Sequence, residues 1–250
     1  YLASPSSPKA YNAYPIETLL ANSAGAKNAL DLAVKYNAKF LFVSSSAIYG
    51  EPTEEKTVFR EDYYGYFNPV GPRSCYAEAK RFGESLTINY RNKYNLDCKV
   101  VRVFNTYGPR LRLTDGRLIP EITRQALNNE PVVIYGDEGS FGSYCYVNDL
   151  IKGLTKMMAS TESGPINLGA EWENNLTDLA QNIINLLGSQ SKIVYQVLPP
   201  LLTRQGIADI SLAKEKLSWF PVVLIDQGLI ETVEYLKASK DLLAAEQLLR

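Results

Sequence analysis

The chain has 250 residues, 46 % of them hydrophobic and 21 % charged, with a formal net charge of −1 at pH 7, the proportions of a globular protein with chain enough for a sizeable core. That balance supplies no attraction to nucleic acid or to an anionic membrane surface, and no apolar run reaches the roughly 18 residues of a membrane span. There is no histidine, which excludes Ser-His-Asp and Cys-His catalysis and removes the commonest metal ligand, so proton transfer falls to Tyr, Lys, Asp, Glu, Cys or a bound cofactor.

The three cysteines, Cys75, Cys98 and Cys145, have no C-x-x-C spacing. They argue against a disulfide framework and a zinc site, so no metal is expected and a reducing, cytoplasmic compartment is. The chain opens without an initiator Met or a charged leader and reads as starting in mid-protein.

After a Pro- and Ser-rich start at residues 4–8, apolar residues at helical spacing (Leu19, Leu20, Ala26, Leu30, Ala33) predict a helix from about Pro15 to Tyr36. Lys39–Val43 is a short apolar run that reads as a buried strand opening into the polar loop Ser44-Ser45-Ser46. Residues 50–73 read as loop, with Gly/Pro punctuation in Asn68-Pro69-Val70-Gly71-Pro72. A helix follows to about Tyr94, carrying Tyr76 and Lys80 four residues apart and therefore on one face. A lysine ammonium beside a phenol favours the phenolate, so this pair is a candidate for moving a proton. Lys99–Phe104 is a second buried strand, ending at Asn105-Thr106-Tyr107.

Helix, strand, helix, strand with both strands apolar throughout is the α/β pattern of a parallel sheet covered on both faces. Ligands of such sheets bind beyond the carboxyl ends of the strands, where Ser44–Ser46, Asn105–Tyr107 and Tyr76 converge. Beyond Pro109 the rhythm changes. Helices are predicted at Ile119–Leu127, 147–158, Asn175 to Leu187, 211–217 and 225–238. Strands are predicted at Pro131–Gly136, Pro165–Gly169 and Val194–Val197. The division expected is a Rossmann-like, doubly wound part over residues 1–112 and a smaller mixed α/β substrate region over 113–250, with 146–170 returning to the first.

Four stretches in fixed order carry a family resemblance: Tyr1-Leu2-Ala3-Ser4-Pro5-Ser6-Ser7-Pro8, Val43-Ser44-Ser45-Ser46-Ala47-Ile48-Tyr49-Gly50, Asn68 through Tyr76, and Arg102 through Arg110. With these the chain resembles the extended short-chain dehydrogenase/reductase family, the NAD-dependent epimerases and dehydratases of nucleotide sugars, and within it the UDP-glucuronate decarboxylases. The resemblance implies a Gly-rich βαβ unit for the NAD pyrophosphate ahead of a stretch like Tyr1–Pro8. No such unit, with its G-x-x-G-x-x-G and following acidic residue, is read here. The sequence is therefore expected to be a fragment that binds NAD poorly alone.

The resemblance further implies that Tyr76 takes the proton from a sugar hydroxyl while hydride passes to NAD. Lys80 would hold the nicotinamide ribose and lower the tyrosine pKa, and Ser45 would hydrogen-bond the reacting hydroxyl. Leu2, Ala3 and Ser4 would join Tyr76 and Lys80 at the cofactor. Ser46, Asn105, Arg117, Tyr135 and Arg204 would face the nucleotide-sugar substrate, a UDP-sugar above others. A homodimer is implied, through the helix at 15–36 and the face of the Tyr76 helix that bears Phe82, Leu86 and Tyr90. The sequence departs from the decarboxylase pattern at Ala47, where Glu is expected, and at Gly142 and Gly206, where arginines are expected; Arg204, Arg117 or Arg112 would have to compensate. Ala47 leans toward a 4-epimerase, and the three departures together admit a non-catalytic nucleotide-sugar-binding relative.

Overall fold

The computed structural model describes residues 1–199, 202–204 and 206–248. Ser7 caps the first helix, α1 (Pro8–Ala13), by accepting the Ala10 N–H at 3.3 Å, with Pro8 in the first turn where its missing N–H costs nothing. Pro15 starts α2 (Pro15–Leu20) in the same way, and the chain runs through a π turn (Ala21–Gly25) into α3 (Ala26–Tyr36). The predicted helix over 15–36 is thus one helical run with an expanded turn inside it. The buried Asn22 of that turn donates to Thr18 O at 2.9 Å and Ser4 Oγ at 2.8 Å, tying the N-terminal stretch to the helix.

Strand β1 (Phe40–Ser45) follows, then β2 (Val58–Phe59), α4 (Ser74–Tyr94), β3 (Cys98–Val103) and β4 (Thr106–Tyr107). Next come α5 (Leu118–Leu127), β5 (Val132–Tyr135), β6 (Phe141–Gly142), β7 (Cys145–Tyr146), α6 (Val147–Ala159) and β8 (Ile166–Leu168). The chain closes with β9 (Asn174–Asn175), α7 (Leu176–Leu187), β10 (Ile193–Gln196), β11 (Ile207–Ala208), α8 (Ser211–Leu217) and α9 (Ile225–Leu248). The expected polar loop at Ser44–Ser45 is a correction: both residues belong to β1, because their main chain pairs with Arg102 and Val103 of β3.

The main sheet has the order β1-β3-β8, all parallel. Alternation of side chains sends Leu41, Val101, Ile166 and Leu168 to a core with Leu150, Met157, Ala213, Leu217 and Trp219. Phe40, Phe42, Cys98 and Val100 face the other way onto Ala26, Leu30 and Ala33 of α3, with Leu86 of α4 against them. Both faces are covered, which is why the strands carry no polar alternation. Helix α4 approaches β1 at Gly83, where a Cβ would stand inside the Phe42 ring.

A third cluster lies outside this sheet and joins α5, α7 and α9 to the parallel pair β5–β10 through Ile122, Ile134, Ile183 and Leu229. Residues 50–73 are tied to the sheet at Glu61, whose carbonyl accepts from Arg102 Nη1 at 3.0 Å and whose Oε1 accepts the Asn167 N–H at 2.7 Å. Arg102 pairs with Glu84 at 2.9 Å and donates to Tyr49 Oη at 2.9 Å, and Tyr49 donates to Asn167 Oδ1 at 2.8 Å. Within that segment β2 pairs with β11, an element of two residues with no periodicity of its own. Gly136, Gly139 and Gly142 share the spacing of a dinucleotide-binding loop, yet they lead from β5 into β6 instead of a helix, so no helix N-terminus faces a phosphate there.

Candidate active site

A cavity of about 960 Å³ opens beyond the carboxyl ends of β1 and β3 and is lined further by α5, by the segment from Val133 to Tyr144 and by residues 202–204. Helix α4 starts at its wall. Lys80, one turn in, is buried and donates from Nζ to Val43 O at 2.9 Å. Its ammonium lies 5.2 Å from the centre of the Phe42 ring and 5.9 Å from that of Tyr76. Burial brings the Lys80 pKa down to about 8, against the pull of Glu84.

Tyr76 stacks on Tyr11, with ring centres 4.9 Å apart and planes 14° from parallel. Tyr11 is itself buried and its hydroxyl accepts from Arg73 Nε at 3.1 Å. Burial pushes the Tyr76 phenol above its ordinary value; a hydrogen bond with Ser45 and the charges of Arg117 and Arg73 work in the opposite direction. This corrects the expectation that Lys80 lowers the phenol. The cations acting on Tyr76 are the two arginines, and desolvation outweighs them. Arg117 is set in place by a bond from Nη2 to Ser6 Oγ at 2.8 Å and by Asp115, 3.3 Å from its Nε.

Of the other residues singled out from the sequence, Leu2, Ser4, Ser45, Ser46, Asn105, Arg117, Tyr135 and Arg204 all line the cavity. Ser45 also accepts the Ala47 N–H at 3.2 Å, which forms the tight turn after β1. Asn105 has part of its amide engaged, Nδ2 donating to Ser143 O at 3.2 Å. Two expectations are corrected. Ala3 is exposed and does not line the cavity, because in the extended N-terminal stretch it faces away from Leu2 and Ser4, which do touch the cavity, Leu2 while 71 % exposed. Arg112 is exposed and also lies outside the cavity wall, so it is no substitute for a missing cation. Ala47 and Gly142 do line it, whereas Gly206 is buried beneath the Phe59 ring.

Sequence reasoning placed Ser44 in the cluster at the strand end without giving it a role, and missed Tyr11, Arg73 and Tyr144. Ser44 is 2 % exposed, lines the cavity and has no hydrogen-bond partner for its hydroxyl among the described residues. A buried unpaired hydroxyl is costly, and this one stands on a cavity wall beside the residue whose carbonyl holds Lys80. The lysine has two further N–H bonds to give. Both features fit the nicotinamide end of a dinucleotide. Arg73 was within reach of the sequence, three residues ahead of Tyr76 in a motif already singled out; Tyr11 carries no local signal.

The sequence model described as the NAD dependent epimerase/dehydratase family matches residues 1–169. UDP-glucuronic acid decarboxylase 1 of Danio rerio is 40 % identical over 237 residues, 94 % of this chain and 56 % of that protein. UDP-glucuronic acid decarboxylase 4 of Arabidopsis thaliana is 39 % identical over 229 residues, 92 % of this chain and 51 % of that one. The chain thus spans about half the length of the curated relatives it matches. Among solved structures, a UDP-glucose 4-epimerase of Thermotoga maritima superposes with a TM-score of 0.84 at 28 % identity, covering 96 % of this chain and 76 % of its own. A UDP-N-acetylglucosamine 4-epimerase of Methanobrevibacter ruminantium M1 gives 0.83 at 28 %, covering 95 % and 75 %.

Proposed function

Because the chain belongs to the NAD dependent epimerase/dehydratase family, we propose that it acts on a nucleotide sugar, a UDP-sugar foremost, through a transient 4-keto intermediate, with decarboxylation of UDP-glucuronate as the reaction. The observation that carries this reading is the convergence of Tyr76, Lys80 and Ser45 on one cavity wall beyond the strand ends. NAD, the cofactor of the family, supplies the acceptor for the C4 hydride and its later return. Lys80 and Ser44 would hold the nicotinamide ribose end. Tyr76 Oη takes the proton of the sugar 4-hydroxyl, and Ser45 Oγ hydrogen-bonds that same oxygen. Oxidation leaves a ketone at C4 to which the sugar carboxylate is β, so carbon dioxide departs with the bonding electrons passing into the enolate. A proton then restores the neighbouring carbon, and reduction of the ketone completes the cycle.

A second reading is favoured by one residue. Ala47 presents a methyl group to the cavity where a decarboxylase of this pattern would have a carboxylate, and a site with no such acid/base group suits a 4-epimerase, which needs only to turn the keto-sugar over. The test is to give the full-length protein UDP-glucuronate, UDP-glucose and dTDP-glucose with NAD. Carbon dioxide from UDP-glucuronate supports the first reading; a C4-inverted sugar without gas supports the second. If no nucleotide sugar produces NADH, the enzyme reading fails and a non-catalytic binding relative replaces it.

A homodimer belongs to the same proposal. Ile16, Leu19 and Leu20 on α2 and Phe82 on α4 are exposed apolar side chains on two helices in contact with each other. Leu86 and Tyr90, one and two turns on from Phe82, are half-buried against the cluster that contains α3, and Tyr90 Oη donates to Asp31 at 2.6 Å at the surface. Sedimentation showing only monomer at high concentration would remove the dimer from the proposal.

A further inference from the structure

The cavity is also lined by a residue that the chemistry above does not use. Tyr144 lies between β6 and β7, where the main chain is fixed from several directions. Asn105 Nδ2 donates to Ser143 O at 3.2 Å, Cys145 N donates to Asn105 O at 2.8 Å, and Ser143 Oγ donates to Ala170 O at 2.7 Å. The ring stands edge-on to Tyr107, 6.5 Å between centres at 90°. Its position depends on Gly142. A Cβ there would come within 2.8 Å of both Tyr144 Oη and Cε2, so the phenol occupies the space of the side chain that residue 142 lacks. An arginine at 142 and this placement of Tyr144 are mutually exclusive.

The hydroxyl separates Tyr144 from the tyrosines around it. Tyr107 Oη donates to Ile225 O at 3.3 Å, Tyr146 Oη to Glu231, and Tyr49 Oη to Asn167. Tyr144 Oη makes no hydrogen bond among the described residues, and Tyr144 lines the cavity. A ring needed only for packing gains nothing from an unpaired hydroxyl in such a place. We propose that Tyr144, seated over Gly142, is a specificity-determining contact: a neutral phenol that hydrogen-bonds an oxygen of the nucleotide sugar where residue 142 offers no side chain. Its protonation is secure, because burial alone pushes its pKa up and no charged group acts on it. This wall therefore offers a neutral donor and acceptor, whose contribution is insensitive to salt, in contrast to a guanidinium.

The proposal rests on the nucleotide-sugar reading, and its test keeps the two apart. Binding of UDP, UDP-glucose and UDP-glucuronate to the full-length protein is measured by calorimetry at low and high salt. Tyr144→Phe keeps the ring and its packing; it should weaken the UDP-sugars about 3- to 10-fold, by the same factor at both salt concentrations. Gly142→Ala should displace the phenol and cause a similar loss in the wild-type background but none in a Tyr144→Ala background, so the two positions are coupled. Wild-type affinity in Tyr144→Phe, or an unchanged affinity in Gly142→Ala, would overturn the proposal. If the wild-type protein binds none of the three ligands, the nucleotide-sugar reading fails first and this contact with it.

Discussion

Two tyrosines of the cavity wall, Tyr76 and Tyr144, stand in contrasting electrostatic settings. Tyr76 sits among Lys80, Arg73 and Arg117, each anchored by a buried or half-buried partner, and its phenol feels two positive charges as well as desolvation. Tyr144 sits among aromatic and backbone groups and feels desolvation alone. One phenol is placed where deprotonation can be assisted; the other is placed where it stays neutral. In the proposed reading one tyrosine reacts and the other selects, and the chain departs from the expected decarboxylase pattern beside each of them, at Ala47 in the turn after Ser45 and at Gly142 beneath Tyr144.

The largest expected effect falls on the reacting tyrosine. Tyr76→Phe removes the proton-transfer group and should lower turnover of the full-length protein by roughly 100- to 10,000-fold, while nucleotide-sugar affinity stays within a few-fold. Equal losses in turnover and binding would place Tyr76 in binding alone.

Lys80→Met tests the cost of keeping a charge beside Tyr76. The folded pKa of Lys80 is about 8 against 10.5 when unfolded, so between these values the unfolded chain holds more protons and wild-type stability rises with pH. Lys80→Met should therefore be the more stable protein at pH 7, by up to about 3 kcal/mol, with the margin closing between pH 8 and 10.5. Thermal melts across that range check it, and a margin independent of pH would contradict the burial of a charged lysine.

Gly83→Ala acts on the frame that carries Tyr76 and Lys80. The added methyl meets Phe42 on β1, so α4 must lift from the sheet. Denaturant unfolding should register a loss of about 1–3 kcal/mol. The smallest effect expected is that of Tyr11→Phe, which keeps the stack on Tyr76 and deletes the bond from Arg73. It should shift the alkaline limb of the pH–rate profile slightly and cost only a few-fold in turnover, roughly one hydrogen bond. An unchanged profile would mean that Arg73 reaches Tyr76 without the aid of the Tyr11 hydroxyl.

The sheet was legible because its strands are buried on both faces: Phe40–Val43 is a continuous apolar run, and Val100–Phe104 is one interrupted only by Arg102. Helix α4 was legible with its full length and both of its cavity residues. The two-residue strands β2, β4, β6, β7, β9 and β11 were not, since each is defined by a partner's backbone and leaves no side-chain period. Ser44 and Ser45 read as loop by their chemistry and are strand by their hydrogen bonds. The residues brought together around Tyr76 come from segments more than 60 positions apart, Tyr11 with Arg73 and Ser6 with Arg117, and no local pattern announces such contacts. The same holds for electrostatics: spacing placed Lys80 on the Tyr76 face, but only the burial of both groups decides that desolvation dominates the phenol.

The central claim, that Tyr76 drives a redox step on a nucleotide sugar in this cavity, is tested most directly by mixing the full-length protein, loaded with NAD, with excess UDP-glucuronate and following nicotinamide reduction by absorbance alongside released carbon dioxide. The expected result is an NADH signal with gas release in the wild type and neither in Tyr76→Phe. Gas or NADH of equal size in both proteins, or in neither, would contradict the account.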